Sequence, residues 1–218
     1  MKNLRIVILL IFTSFTTFAQ NADKAKSLLD EVSSKMGAYE NMVIDFSSSL
    51  SNKEAGINDG DEPPIRGNIT LKGEKYNLDY LGNKFIFDGK KLYVINQEFK
   101  EVNISKGDMS GDDGFIYPSK LLSFYKNGYN FAWGKLKNES GRSVQYITLN
   151  PMDSNADIVE VELAIDAKTK HICKLIQTGA NGSKTTLTIN SLKSNQPISD
   201  QLFIFDQAKY KKLKYTID

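Results

Sequence analysis

Residues 67–104 read GNITLKGEKYNLDYLGNKFIFDGKKLYVINQEFKEVNI. Short apolar and aromatic runs alternate there with polar residues and are separated by turn signals, which is typical of antiparallel strands. Asp88-Gly89 lies between two apolar runs and predicts a hairpin turn, because Gly accepts the positive φ angle that such a turn requires. We expect about four strands here, with one wide apolar face that another part of the chain must cover.

The first nineteen residues have the features of a secretory signal peptide: a basic start at Lys2 and Arg5, an apolar run over residues 6–12, and small residues before Gln20. A membrane-spanning helix would need roughly 18–20 apolar residues, and this run is shorter and is followed by Thr and Ser. We predict cleavage after residue 19 and a single exported domain over residues 20–218. With no cysteine near the cleavage site, this domain is expected to be soluble rather than lipid-anchored.

The charge balance of the exported domain argues against nucleic acid as a partner. Removal of the leader leaves 26 basic and 26 acidic residues, with both signs spread evenly. Cys173 is the only cysteine, so the chain cannot form an internal disulfide. A basic stripe for an anionic membrane is absent, apart from a modest cluster at the tail: Lys209, Lys211, Lys212 and Lys214.

Before residue 67 the chain predicts a helix and a strand. The helix covers residues 21–36, with Asn21 or Asp23 as its cap. Residues 43–50 alternate as a strand, and residues 51–65, rich in Gly, Asn, Asp and Pro, predict a loop. The apolar face of the helix consists of Ala25, Leu28, Leu29, Val32 and Met36.

After residue 104 the chain predicts a loop over residues 105–114, a short helix and further strands. Pro118 suits the first turn of a helix that runs to about Lys126. Strands are expected at residues 129–136, 143–150, 158–166, 171–178 and 185–192. The apolar group Leu202-Phe203-Ile204-Phe205 is expected to form a final strand or a β-bridge.

These elements predict a mainly β (α+β) fold: an incomplete antiparallel β-barrel of roughly ten strands, with two or three helices covering a hydrophobic cavity. A sheet that wide must curl, split or close. Its apolar face cannot be left to water, and curling around the helices satisfies both conditions. From composition alone, an ordinary sandwich core is the alternative.

Groups that could carry catalysis or bind a metal are sparse. His171 is the only histidine and shares a strand face with Cys173, which gives at most two metal ligands. Asp79 and Asp88 are the best candidates for paired carboxylates, but a strand position and a turn position favour solvated side chains. The aspartates between residues 108 and 113 lack the spacing of a calcium loop. We therefore expect no enzyme, no metal and no cofactor.

Several motifs follow one another in a fixed order along the chain. They are Gly67-Asn68-Ile69-Thr70-Leu71-Lys72, Tyr76-Asn77-Leu78-Asp79-Tyr80, Phe87-Asp88-Gly89-Lys90-Lys91-Leu92-Tyr93-Val94-Ile95-Asn96, Glu101-Val102, Pro118-Ser119-Lys120-Leu121-Leu122 and Leu202-Phe203-Ile204-Phe205-Asp206. In order and spacing, together with a leading helix that ends in Val32-Ser33-Ser34 and a hairpin over residues 158–178, they resemble the LolA family of periplasmic lipoprotein carriers. The resemblance covers nearly the whole exported chain.

The resemblance implies a periplasmic monomer that holds the acyl chains of lipoproteins in a hydrophobic cavity. It implies an inner-membrane lipoprotein-releasing transporter as the donor and transfer toward an outer-membrane acceptor that the sequence does not identify. We expect the cavity to be lined by apolar residues of the first helix, of the strands of residues 67–104 and of the mid-chain helix: Leu28, Leu29, Val32, Ile69, Leu71, Tyr76, Leu78, Tyr80, Phe85, Phe87, Leu92, Val94, Leu121, Leu122 and Tyr125.

One motif departs from the family. The family has Arg-Pro after the lysine that matches Lys72, and this arginine is associated with closure of the cavity and release of the ligand. Here the two positions are Gly73-Glu74, and Lys72 or Arg66 could take the arginine's role. The departure favours an alternative function, a related periplasmic module that binds or senses a free lipid or glycolipid. A non-binding interaction domain is a further alternative.

Overall fold

The computed structural model describes the backbone of residues 2–107 and 120–218, and the side chains from residue 20 onward within those ranges. A long helix, α1, covers Lys2–Gly37, and a short helix, α2, covers Gln207–Lys212. The strands are β1 Met42–Ser51, β2 Ile65–Lys72, β3 Lys75–Tyr80, β4 Asn83–Phe87, β5 Lys91–Asn96, β6 Glu101–Lys106, β7 Tyr129–Glu139, β8 Arg142–Pro151, β9 Ile158–Asp166, β10 Ile172–Gly179, β11 Lys184–Ser194 and β12 Thr216–Ile217.

The twelve strands of the described residues belong to one open sheet, in the order β12-β6-β5-β4-β3-β2-β1-β11-β10-β9-β8-β7. Neighbours pair antiparallel except β12 and β6, which are parallel. The sheet and its helices confirm the predicted incomplete barrel. We call the end of the sheet where α1 joins β1 the proximal end, and the opposite end, where β1 stops at Ser51, the distal end.

Strand alternation divides the sheet into two faces, and α1 covers one of them. On this concave face one row of paired positions runs across six strands: Val94, Phe85, Leu78, Ile69, Ile44 and Leu192. The buried side of α1 meets it with Ala25, Leu28, Leu29, Val32 and Met36, as the helical spacing predicted. Burial of a leucine, valine or methionine side chain contributes about 1.5–3 kcal/mol, so this contact stabilises the fold.

A second, smaller core lies on the convex face and is covered by the C-terminal segment. Ile86, Ile95 and Val102 are buried beneath it. The Phe205 ring stacks on Tyr93, with centroids 4.6 Å apart, and on Tyr210 at 5.2 Å. This aromatic stack holds the chain across the sheet until β12 pairs with β6.

Four local predictions differ from the structure. Leu202-Phe203-Ile204-Phe205 is not a strand, because Ser199 caps a 3-10 helix over Asp200–Phe203. Asn21 and Asp23 do not cap a helix, since α1 runs through both positions. Of the predicted mid-chain helix, Pro118 lies outside the described residues; the described part forms a turn and a 3-10 helix over Phe124–Lys126 instead of an α-helix. The predicted loop that begins at residue 105 starts later, since β6 extends to Lys106, and its part from residue 108 also lies outside the described residues.

Candidate functional site

The structure brings all fifteen predicted cavity residues into one apolar cluster on the concave face. Ten are buried: Leu28, Leu29, Val32, Ile69, Leu71, Tyr76, Leu78, Phe87, Leu92 and Tyr125. Five are half-buried and pack against these ten: Tyr80, Phe85, Val94, Leu121 and Leu122. The cluster therefore has a closed interior beside α1 and an accessible apolar margin.

Residues 121–126 are fastened to α1 by hydrogen bonds, and we call these residues together with α1 residues 25–36 the cover. The Tyr125 hydroxyl lies 3.1 Å from the Leu29 carbonyl oxygen and 3.0 Å from Asp30 Oδ1. Ser33 Oγ donates to the Leu122 carbonyl oxygen at 2.8 Å. Burial is the largest cause that raises the pKa of Tyr125, so this hydroxyl stays protonated and can donate.

The end of α1 is also joined to the turn between β9 and β10. Tyr39 Oη lies 2.7 Å from His171 Nε2, and the two rings meet edge to face. Lys170 Nζ and Glu31 Oε2 form an ion pair at 3.2 Å. Burial, and then the positive charge of Lys35, lowers the pKa of His171, which favours a neutral imidazole; its tautomer decides whether Nε2 accepts from or donates to Tyr39 Oη.

A close backbone approach shapes the sheet toward its distal end. The Phe46 ring lies over Gly67 on the neighbouring strand, where an added Cβ would overlap the ring. Phe46 also packs against Tyr80, with ring centroids 5.5 Å apart, and the Tyr80 hydroxyl hydrogen-bonds with Ser48 Oγ. Sequence reasoning missed this feature, although a glycine inside a strand is the expected signal for such an approach.

The same apolar surface continues onto strands that the predicted site did not include. Trp133 and Phe131 of β7 and Leu187 and Ile189 of β11 are half-buried on the concave face. Lys24 Nζ of α1 lies 4.1 Å from the centre of the Trp133 ring. The alternation of apolar and polar residues in β7 and β11 indicates one apolar face on each strand. Only the strand register shows that these faces lie beside the predicted cavity residues.

Neither candidate for the family's arginine reaches the concave face. Lys72 pairs with Asp200 at 2.8 Å, in the segment that crosses the convex face, and this hydrogen bond raises the pKa of the Lys72 amine. Arg66 pairs in register with Ser47, on the convex side of β1. Gly73-Glu74 forms the two-residue turn between β2 and β3. Neither residue therefore lies beside the concave cluster, and the suggestion that one of them takes the arginine's role stays a prediction.

The groups weighed as catalytic are dispersed and structurally engaged. Asp79 pairs with Lys84 at 2.7 Å, and Asp88 accepts from the backbone amides of its own turn. Cys173 lies beside His171, and burial raises the pKa of its thiol. The aspartates between residues 108 and 113 lie outside the described residues. In the part of the chain that the structure describes, no three His, Cys, Asp or Glu side chains form a group able to hold a metal.

Within those same ranges, no helix combines the length and the apolar character needed to cross a membrane.

Comparison with known proteins gives one family and a set of distant structural relatives. Residues 79–206 match the model of "Outer membrane lipoprotein carrier protein LolA". No curated protein matches the chain. An uncharacterized conserved protein from Thermus thermophilus is similar at 9% identity with a TM-score of 0.59, over 89% of this chain and 98% of that one.

Two further crystal structures are similar over most of their length. A DUF1329 family protein from Desulfovibrio piger matches at 10% identity and a TM-score of 0.49, over 87% of this chain and 99% of its own. A LolA superfamily protein from Nitrosomonas europaea matches at 11% identity and a TM-score of 0.42, over 85% and 98%. At these identities, the Thermus thermophilus structure supports the fold alone.

Proposed function

Since this chain belongs to the family of the outer membrane lipoprotein carrier protein LolA, we propose that it binds the acyl chains of lipoproteins on its concave face and carries them across the periplasm. The accessible margin of the apolar cluster carries this proposal. Tyr80, Phe85, Val94, Leu121 and Leu122 remain half-buried around a closed interior. Because these five side chains belong to one contiguous apolar cluster, they form a surface that a ligand could cover.

The chemistry of this margin suits a hydrocarbon chain. Each methylene transferred out of water contributes about 0.8 kcal/mol, so one acyl chain gains on the order of 10 kcal/mol. A carrier must also release its cargo, so the surface needs to be apolar and open rather than deeply enclosing. The half-buried aromatic rings along β3, β4 and β7 offer such a surface.

The cover is the part that would move to admit a ligand. Tyr125 and Ser33 hold its two pieces together, and Tyr39 and His171 join it to the sheet. A few hydrogen bonds of about 0.5–1.5 kcal/mol each can be exchanged for ligand contacts without loss of the fold. Binding rather than catalysis is part of this proposal, because the polar groups weighed as catalytic do not meet in one cleft.

In this function the protein acts as a monomer between two membranes. An inner-membrane lipoprotein-releasing transporter would load it, and an outer-membrane acceptor would unload it. A gene deletion tests this directly. We expect lipoproteins to accumulate in the inner membrane of the deletion strain, and unchanged lipoprotein sorting would contradict the carrier role.

Ligand binding itself can be tested with a matched pair of variants on β11. Leu187 pairs with Ser48 and lies on the concave face, whereas its neighbour Thr188 points to the convex face. Displacement of a fluorescent fatty acid should be strongly weakened by Leu187→Glu, because a buried charge opposes an acyl chain. Thr188→Glu should bind as the unmodified protein does. Equal binding by both variants, or none by the unmodified protein, would contradict the proposed site.

A second candidate function is the binding of a free lipid or glycolipid. The observation that favours it is the placement of Lys72 and Arg66 on the convex side, which leaves neither beside the concave cluster as a counterpart to the family's releasing arginine. Mass spectrometry of the protein purified from its host separates the two. A protein-linked acyl group supports the carrier, and a free lipid supports the second candidate.

A further inference from the structure

The exposed apolar side chains of this protein are concentrated at one end. Eleven large hydrophobic residues are exposed among those that the structure describes, and all but Leu136, Leu202 and Ile204 lie at the distal end of the sheet. Single exposed apolar residues scattered over a surface need no explanation. A bias toward one end does.

Three of these residues lie in segments that follow one another along the distal end, and we call Leu81, Phe99 and Leu213 the distal arc. Leu81 is in the turn between β3 and β4, Phe99 in the turn between β5 and β6, and Leu213 directly after α2, three residues before β12. They are 58%, 68% and 49% exposed. The first two turns are two strands apart, which is about 10 Å. The Thr216 amide donates to the Lys100 carbonyl oxygen at 2.9 Å, which places the tail with Leu213 beside the Phe99 turn.

Leu81 occupies a backbone position that does not suit it. Leu81 and Gly82 form a two-residue hairpin turn with φ angles of 52° and 73°. Asn, Asp or Gly is usual at the first of these positions, because other side chains are crowded in the left-handed region. The turn thus presents an apolar side chain to solvent where folding alone would favour a polar one.

Positive charge is concentrated at the Leu213 end of the distal arc. Lys100 follows Phe99, and Lys211, Lys212 and Lys214 flank Leu213; all four are exposed. Glu98 and Glu101 are the acidic residues in the same turns. The arc therefore combines projecting apolar tips with an excess of flexible amines.

We propose that the distal arc docks on the surface of a phospholipid bilayer that carries anionic headgroups. The apolar tips would enter the boundary between headgroups and acyl chains, while the lysine amines contact the phosphates. Separate convex turn tips suit a deformable lipid surface, whereas a protein partner would be expected to meet a groove or a continuous face. Docking goes beyond the proposed function, since it needs no bound acyl chain.

The experiment is co-sedimentation of the exported protein with vesicles of phosphatidylcholine containing phosphatidylglycerol, and with pure phosphatidylcholine. We expect binding to the anionic vesicles and weaker binding to the neutral ones. Phe99→Ser should reduce the affinity about tenfold or more. Removal of one lysine, as in Lys214→Gln, should reduce it about fivefold, with no effect on neutral vesicles.

Two further variants keep the result interpretable. Leu136→Ser, at 62% exposure in the proximal half of β7, should bind vesicles as the unmodified protein does. Leu81→Asn should lose vesicle affinity although Asn suits the turn better than Leu, so loss of folding would not explain that result. The proposal is overturned if the unmodified protein does not co-sediment with anionic vesicles, or if Leu136→Ser reduces binding as much as Phe99→Ser. Fatty-acid displacement should be unchanged in the Phe99 and Leu81 variants, which separates docking from ligand binding.

Discussion

Tyr39 and His171 join the end of α1 to the turn between β9 and β10 through a hydrogen bond of 2.7 Å between Tyr39 Oη and His171 Nε2. A neutral ring accepts the hydroxyl proton or donates to the hydroxyl oxygen, according to its tautomer, whereas a protonated ring can only donate. The only histidine of the chain is thus a structural contact of the cover.

The partly buried position of His171 predicts a loss of stability in mild acid. Burial, followed by Lys35, lowers the pKa of His171 in the folded state, and Asp166 acts weakly in the opposite direction. The unfolded chain then binds the proton more readily, so the stabilising contribution is present above the unfolded pKa of about 6.5 and declines as the pH falls through it. Thermal midpoints measured between about pH 7.5 and 5.5 should decrease.

His171→Gln is the control for this pH effect, because glutamine retains an acceptor and does not titrate in that range. Its thermal midpoint should change less over the same pH interval. Carboxylates with lowered pKa values, such as Asp166 and Asp30, lose their contribution only at lower pH. An equal slope in the unmodified protein and in His171→Gln would show that another group is responsible.

The close approach of Phe46 to Gly67 predicts a specific cost for a methyl group. Gly67→Ala should lower the free energy of unfolding by about 1–3 kcal/mol, because the ring must move. Gly37→Ala is the matched control, since an added Cβ there meets nothing within 4 Å. Denaturant unfolding measures both. If Phe46→Leu does not relieve the cost of Gly67→Ala, the overlap is not its cause.

The concave residues could be predicted from sequence because alternation fixes which side chains share a strand face. Val94, Phe85 and Leu78 each lie on the apolar side of their own strand, and the strand pairing places them opposite one another on one face of the sheet. The continuation onto Leu187 depends on a β-bulge between Asp45 and Phe46 that shifts the register with β11. No local pattern reveals such a shift.

The C-terminal segment shows the opposite case. Phe203 is buried and lies within an apolar run, which favoured a strand by composition. Ser199 caps a helical turn instead, and the run spans the convex face rather than joining the sheet. Likewise, Phe99 and Leu213 are far apart in sequence, so only the pairing of β12 with β6 places them in one arc.

The Tyr125 hydroxyl is expected to determine how strongly the two pieces of the cover are held together. Tyr125→Phe removes the hydroxyl that contacts Leu29 and Asp30, and we expect a loss of about 0.5–1.5 kcal/mol of stability. Under the proposed function the bound fatty acid should also dissociate faster, because the two pieces of the cover separate more easily. Stopped-flow dilution of a fluorescent fatty acid measures this rate. Ser123→Ala, whose hydroxyl bonds only within its own turn, should leave the rate unchanged.

A substitution at Phe205 is expected to lower the stability of the fold without changing the affinity for a ligand. Its ring lies between Tyr93 and Tyr210 on the convex face, so Phe205→Ala removes two stacking contacts and leaves the small core partly uncovered. We expect a loss of about 2–4 kcal/mol, whereas the exposed neighbour Ile204→Ala should stay within about 0.5 kcal/mol of the unmodified protein. Because the concave cluster lies on the other side of the sheet, both variants should bind a fatty acid with unchanged affinity at temperatures where they are folded. Weakened binding in Phe205→Ala alone, with its fold intact by circular dichroism, would mean that the two faces are coupled and that the C-terminal segment takes part in holding the ligand.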